Sequence, residues 1–502
     1  MTATDRGGDC TVAGLTAEQK IAAGTSSGNL FINAGPGTGK TTVSAHRFAV
    51  QRFLPTGDNR AVVAVSFTRA ATWNLRQRVQ RTWGRSATIW PHRIVTLDTI
   101  ICELVHDLLK SGLLTWPNGH AALIVHDSWN AFSSTERTRE AYQLKVTGGQ
   151  IFFVSGKTRE PGFRVPLKYI IPRLNGGICT HEDVRDVLGQ ALREPRCAER
   201  IQRRLSDSIR GLIVDEVFDA NALDLEIIEL AIKGGVAVTL VGDPWQALYQ
   251  FRGAKPEAVS KLIARANIRT LPLMHSFRWR DGKQQELARR LRSGEAVTLL
   301  EDLNGGADSA VNVVLSLFWK DLWSVGKHVL PLAFHAFKGG YEEAAATLLL
   351  NHVTRNILSE DATYLGDSLT VLAIDDPDVP RRIELDLQDV VNLLLRTGKP
   401  ALNAAYARLT EVIESVSPRR LRPAHAAHTG RLALITERVK YGRRPVLGLT
   451  THQAKGREWD VVGVKLTPSD SQTLARGLDV NEDISRKLYV ACTRARILTV
   501  SV

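Results

Sequence analysis

Three stretches of this 502-residue chain carry residue types in spacings that could do chemistry. In AGPGTGKTT, Ala34 to Thr42, the glycines Gly35, Gly37 and Gly39 let backbone N–H groups face a polyphosphate at a helix start, where the dipole also favours anions. Lys40 would reach the β- and γ-phosphates of a nucleotide, and the Thr41 hydroxyl would ligate Mg²⁺; Pro36, Thr38 and Thr42 complete the loop. Ala34 stands where the general pattern has its first glycine. In GLIVDE an apolar run ends in Asp215, suited to a Mg²⁺ shell, and Glu216, suited to polarising an attacking water. An acidic pair at a strand end is common; beside a phosphate loop it gains meaning. In LVGDPWQALYQFRGA, Leu240 to Ala254, a Gly-Asp-Pro turn is followed within a few residues by Tyr249, Phe251 and Arg252. Those are residue types that stack on bases and hold a nucleic-acid backbone. One loop thus carries two chemistries.

Elements able to position these residues alternate along the chain. NLFIN, AVVAVSF, GLIVDE and AVTLVGD read as buried parallel strands, each followed by a turn or helix. VLPLAFH, LTVLAID, VLGLTT and DVVGVKL form a second set after about residue 325, and ILTVSV reads as a last strand. The expected class is α/β, with two doubly wound parallel sheets. Residues 109–199, with scattered Pro and Gly, and residues 376–443, with Leu-rich helices and the basic stretch SPRRLRPAHAAHTGR, fit neither sheet and read as insertions.

Composition sets the outer bounds. The length implies about two to four domains. At 44% hydrophobic and 23% charged the chain is globular. Cys10, Cys102, Cys179, Cys197 and Cys492 are scattered without a C-x-x-C, which argues against zinc, an iron–sulfur cluster or a disulfide framework. With no membrane-length apolar run and no signal-peptide layout, a cytoplasmic protein without a membrane partner is expected. The net charge of +13 suits a polyanionic partner.

The order of these motifs resembles superfamily 1 helicases of the UvrD/Rep type, over nearly the whole chain. LTAEQKIA is similar to the motif whose glutamine, Gln19 here, reads adenine. VVAVSFTRAATWNLRQRV resembles motif Ia, which puts Phe67, Thr68 and Arg69 on the DNA path. IVDEVFD resembles motif II and LVGDPWQALYQFRGA motif III, with Gln246 sensing the γ-phosphate while Tyr249, Phe251 and Arg252 touch single-stranded DNA. HSFR resembles motif IV, with Arg278 on the γ-phosphate. TTHQAKGREWDVV resembles motif V, with Gly456 and Glu458 near the nucleotide ribose and His452 near DNA or phosphate. RKLYVACTRA resembles motif VI, with Arg494 as an arginine finger in cis. The resemblance implies ATP and Mg²⁺ as cofactors and single-stranded or end-containing DNA as partner. It also implies two RecA-like domains: 1A at 1–108 and 200–274, and 2A at 275–375 and 444–502. Mainly helical subdomains would be inserted, 1B at 109–199 and a reduced 2B at 376–443.

Some positions depart from the family. Phe218 replaces the motif II glutamine, Asp98 stands where a histidine is common, and Phe251 replaces the motif III tryptophan. Asp98 would repel phosphate and is expected to bond a backbone amide or an arginine. The short span between motifs IV and V, Asp98, and the VGDP opening of motif III resemble the helicase subunit of the Gabija antiphage system. That likeness implies a Toprim-type nuclease partner of the OLD kind. Several residues have plainer readings: Tyr249 and Phe251 as core aromatics, Arg278 and Arg494 as salt-bridge arginines, His452 as structural, and PRRLRPAH as a solvated face. Trp73, Trp83 and Trp90 are expected to pack one helix on its sheet.

Overall fold

The P-loop strand and the two acidic strand ends lie on three adjacent strands of one sheet. The structure, a computed structural model, describes residues 14–25, 28–133, 135–301, 311–376, 378–396 and 398–502; Cys10 lies outside them. Along the chain come β1 (Leu30–Ala34), β2 (Ala61–Ser66) and β3 (Arg93–Thr96), then β4 (Ile124–His126), β5 (Glu136–Thr147), β6 (Gln150–Arg164) and β7 (Ile178–Thr180). β8 (Ile209–Val214), β9 (Ala237–Gly242), β10 (Arg269–Leu273), β11 (Leu300–Glu301), β12 (Val313–Ser316) and β13 (Val329–Pro331) follow. The last three are β14 (Val446–Thr450), β15 (Trp459–Val464) and β16 (Ala495–Ser501). The first sheet has the order β10-β1-β9-β8-β2-β3 and the second β11-β16-β15-β12-β14-β13; both are parallel. Because β1, β9 and β8 are neighbours, the loops after them meet at one carboxyl edge, where doubly wound sheets place ligands.

Successive residues of a strand point to opposite faces, and the first sheet buries both. Ile32, Val62, Ala64, Ile213 and Val241 pack with Val43 and Phe48 of helix Lys40–Phe53 and Leu75 and Val79 of helix Arg69–Trp83. Phe31, Val63, Val65, Leu212 and Leu240 face the other way, against helices that include Leu97–Lys110 and Ala222–Lys233. That second core continues into residues 109–199 through Leu144, Ile151, Ile170 and Leu174. There β5 and β6 form an antiparallel hairpin whose tip, Gly148–Gly149, has φ of 57° and 77° at both turn residues, a conformation L side chains rarely adopt.

Two of the expected elements differ. LTVLAID is no strand: Leu369–Val371 end helix Leu365–Val371, and Leu372 and Ile374 pack into a helical core shared with Tyr341–Leu358, Glu384–Leu394 and Lys399–Val416. A short apolar run does not separate a buried helix from a buried strand by pattern alone. The second sheet instead contains β12, VVLS, between β15 and β14, and the helical layer begins at Tyr341 rather than at residue 376. Among the described residues no helix is long and apolar enough to cross a membrane.

Buried His92 ties β2 to the segment before β3 by accepting the Val62 N–H at Nδ1, 3.0 Å. Burial, aided by Arg52 and Arg210, pushes its pKa down to about 4. The unfolded imidazole titrates near about 6.5, so the folded state resists the proton that the unfolded chain takes up. His92 therefore contributes stability that is full above about pH 6.5 and declines as pH falls towards about 4. In thermal melts between pH 7 and pH 5, His92→Asn should flatten part of this acid-side loss; an unchanged slope would remove His92 as its cause.

Candidate functional site

The phosphate loop is shaped by what crowds it. Gly37 and Gly39 have φ of 72° and 84°, and a Cβ on Gly37 would lie 2.5 Å from the Cβ of Arg278. Gly35 is under no such constraint: a Cβ there would meet only ordinary contacts, at 3.7 Å from Arg292 and Thr38. Its part in the loop is the carbonyl that accepts from the Thr38 hydroxyl at 2.9 Å. Phe277 donates its N–H to the Gly37 carbonyl at 2.9 Å and the Ser276 hydroxyl donates to the Pro36 carbonyl at 2.8 Å, so HSFR wraps the loop. Gln19 caps its own helix with Thr16, and its Nε2 donates to the Thr38 carbonyl at 2.9 Å. Lys40 Nζ donates to the Ala34 carbonyl at 3.2 Å; burial lowers its pKa. The amino end of helix Lys40–Phe53 has no side-chain cap, with Gly39 at the cap position. Its first N–H groups are therefore free for an anion.

The carboxylates opposite form a charged knot. Asp215 follows β8 and its carboxyl is pushed up to about 7 by burial and by Glu216 beside it. Glu216 is a non-glycine residue at φ 57°, a strained turn that places its carboxylate towards the second sheet's loops. Lys455, between β14 and β15, reaches across with Nζ 2.5 Å from Asp219 Oδ2 and 3.4 Å from Glu216 Oε2. Burial disfavours the charged Glu216, but Lys455 and Lys40 outweigh it and hold its carboxyl below the usual range. Burial likewise opposes the Lys455 ammonium, and Asp219 and Glu216 hold it protonated.

Two arginines from the far side complete the pocket. Arg278 donates from Nε to Glu458 at 2.9 Å and from NH1 to the Thr493 carbonyl at 2.9 Å. Arg494 is fully buried, makes no ion pair among the described residues, and donates to the Val490 carbonyl and to Gln246 Oε1 at 3.4 Å. Burial and the nearby Arg278 pull its pKa well below normal. Gln246 in turn donates to Asp243 at 2.7 Å, and Arg292 bridges Asp243 at 3.0 Å and the Tyr489 hydroxyl at 3.2 Å.

The loop after β9 faces both ways. Trp245 and Leu248 pack in the core of the second sheet, with Trp245 5.0 Å from the Tyr489 ring, and Arg486 donates to the Ala247 carbonyl at 2.9 Å. Tyr249, Phe251 and His452 form an aromatic cluster with centroids 5.2–5.9 Å apart. Phe251 is 66% exposed, so it is not a core ring. The His452 Nε2 lies 3.0 Å from the Leu248 carbonyl, and Lys455 sits 5.3 Å from the Tyr249 ring centre. A cleft of about 700 Å³ is lined by Thr41, Asp215 and Glu216 together with Phe67, Thr68, Gly456, Tyr249 and Trp73.

Other positions resolve individually. Thr68 caps helix Arg69–Trp83, Phe67 is half-buried, and Arg69 is exposed and paired with Asp127 at 2.6 Å. The side chain of Arg252 lies outside the described ones. Asp98 accepts from Arg185 at 2.6 Å, the arginine partner its charge required. Phe218 is core, edge-on to Phe31 at 5.8 Å and packed over Gly242. The tryptophans do not pack a helix on its sheet: Trp73 and Trp83 are 58% and 37% exposed because the buried face of their helix is Thr72, Leu75 and Val79, and Trp90, 76% exposed, lies beyond the helix before β3. Unforeseen members of the site are Lys455, Asp219, Arg292, Tyr489 and the exposed Phe277. Lys455 and Asp219 sit inside motifs already recognised, so their charge was a usable signal; Arg292, in the run ARRLR, offered none.

Residues 18–252 match the family described as an AAA domain. The chain is 23% identical over 283 residues to DNA helicase II of Haemophilus influenzae, covering 53% of this chain and 38% of that one. It is 24% identical over 256 residues to ATP-dependent DNA helicase Rep of Escherichia coli, covering 46% and 36%. The chain thus spans less than two fifths of the length of these two relatives. With ATP-dependent DNA helicase UvrD2 of Mycobacterium tuberculosis it is 23% identical over 552 aligned positions, covering 97% of this chain and 78% of that one. By these matches residues 18–252 are similar to an AAA domain, and the chain is similar, in one case over nearly its whole length, to proteins named as DNA helicases.

Proposed function

We propose that the chain is an ATP-driven motor on DNA, a UvrD-like helicase or single-strand translocase moving 3′ to 5′. One observation carries this reading: the loop after β9 holds Gln246 against buried Arg494 on one side and an exposed aromatic cluster on the other. Gln19, close to the phosphate loop, would read the adenine of ATP. The backbone from Ala34 to Thr42 and Lys40 would hold the phosphates, with Gly456 and Glu458 at the ribose. Glu216 would polarise the attacking water. Arg278 and Arg494 would meet the charge that develops on the γ-phosphate; Arg494 is a buried guanidinium without a carboxylate among the described residues, which is costly unless an anion meets it.

Thr41 and Asp215 fit Mg²⁺: burial and Glu216 keep the Asp215 carboxyl up at about 7 although Lys40 and Lys455 act against them, so a further cation would be met favourably there, and the Thr41 hydroxyl lines the same cleft. The ion would supply charge neutralisation at the β- and γ-phosphates. Tyr249, Phe251, Arg252 and His452, with Phe67, Thr68 and Arg69, would form the path of a single strand. A second reading, a DNA-end-sensing switch that regulates a partner nuclease, is favoured by Phe218, an apolar ring in place of a polar relay. The Gabija-like defence role and a Toprim-type nuclease partner belong to that reading. Strand-displacement and translocation assays on one preparation separate the two.

Lys40→Ala should abolish ATP hydrolysis, and turnover within about twofold of wild type would remove it from the site. Arg494→Ala should slow turnover by about a hundredfold or more while nucleotide affinity changes less; an equal loss in both would make it a structural arginine. Lys455→Gln should abolish the effect of a non-hydrolysable ATP analogue on DNA affinity, with Lys455→Arg restoring part of it. By linkage the loss must also be read as a lost effect of DNA on analogue affinity. Retention of the full effect would place the coupling elsewhere. Phe251→Ala should weaken single-strand binding by about 1–3 kcal/mol without lowering the melting temperature; early melting at unchanged affinity would make the ring structural.

A further inference from the structure

Beyond the loop after β9, the same cleft is walled by a face of helix Arg69–Trp83 that no role described so far uses. Trp73, Gln77 and Arg81 follow one another at four-residue spacing on that face, with Asn74 and Arg78 beside them, and all five line the cleft that Tyr249, Phe67 and Thr68 also line. Trp73 is 58% exposed and has no ring contact or hydrogen bond among the described residues, although it is the largest side chain of the helix's open face. An indole held open to solvent inside a groove is costly as packing and useful as a platform.

The charge around it points to the occupant. Between Asp58 and Asp98 the sequence holds seven arginines and no acidic residue. Arg60, Arg69 and Arg93 are neutralised by carboxylates from elsewhere. Arg78 donates instead to the Thr42 hydroxyl at 2.5 Å, and neither it nor Arg81 has an ion pair among the described residues. Of the acids lining the cleft, Glu216 and Asp219 are engaged by Lys455, and Asp215 lies beside Glu216. An aromatic face, two side-chain amides and unneutralised guanidinium groups in one groove make the chemistry that takes an unpaired base together with its phosphate.

We infer that Trp73, Gln77 and Arg81 form a second contact for single-stranded nucleic acid, with Trp73 stacking on a base and Arg81 on a phosphate. The contact rests on the strand path proposed above, which it extends from Tyr249 along helix Arg69–Trp83. A strand lying there spans the outer wall of the nucleotide cleft as well as the loop after β9. Its grip is then set at two places on the first sheet rather than one.

The test uses the full chain and a fluorescein-labelled oligothymidylate. Trp73→Ala should weaken binding by roughly five- to a hundredfold, with Trp73→Phe restoring most of it. Arg81→Ala should reduce the slope of log affinity against log salt by about 0.7, the loss of one phosphate contact on a single strand. Phe251→Ala is measured alongside. Unchanged binding in Trp73→Ala with a loss in Phe251→Ala overturns this contact and leaves the strand path standing; unchanged binding in both overturns the path itself. Titration with a non-hydrolysable ATP analogue in the absence of DNA separates the other source of a base and phosphate. A loss confined to the analogue overturns the strand contact and assigns Trp73 to the nucleotide. Because Trp73 is exposed, unchanged thermal melting of both variants is expected, and an early melt of Trp73→Phe would also overturn the assignment.

Discussion

Lys455 between Glu216 and Asp219 is the contact on which the site depends. It joins a loop of the second sheet to the acidic strand end of the first, through a buried ammonium with carboxylates on either side and the Tyr249 ring above. Two negative charges this close and this buried would not both persist without it; even with Lys455 pulling the other way, burial and the neighbouring Glu216 leave the Asp219 carboxyl raised to about 6. Such an ion cluster adds little net stability, since removing the charges from water offsets much of their attraction. What it adds is position. The relative setting of the two sheets decides whether Glu216 is a free base or a paired carboxylate, and whether the Tyr249 ring is fixed from below.

The arginines on the other wall follow the opposite logic. Arg292 is neutralised by Asp243 and braced by Tyr489, and Arg278 is held by Glu458, so both are oriented by partners before any phosphate arrives. Arg494 is oriented only by a carbonyl and by Gln246. Preorganised charge is cheap to use in a reaction because no reorganisation accompanies it, and the unpaired member holds the most latent interaction energy. Gln246 is the hinge pin between the two sets, since its amide donates to Asp243 while its carbonyl accepts from Arg494.

Much of this was legible in residue types. The phosphate loop, the acidic strand end and the aromatic loop each announce their chemistry, because glycine, carboxylate and ring side chains have few uses in those spacings. Four strands of the first sheet are plain apolar runs. The strand β12 escaped notice because four residues of β-branched and leucine character give too little pattern, while LTVLAID gave too much. The tryptophans misled for a related reason: Trp73 and Trp83 share helix Arg69–Trp83 with Thr72, Leu75 and Val79, and composition does not say which stripe turns inward. Lys455 required the third dimension. It lies more than 200 residues from Asp219, and no spacing predicts a pair that only the meeting of two sheets creates.

Trp245 and Leu248 belong by sequence to the first sheet and by packing to the core of the second. Each buried side chain of that size is worth about 1.5–3 kcal/mol, and loss of the second sheet would uncover them. The two halves are therefore joined by shared hydrophobic substance as well as by a hinge of backbone. Unfolding of the second half therefore strips packing from a loop of the first, and the stability of one half is tied to that of the other.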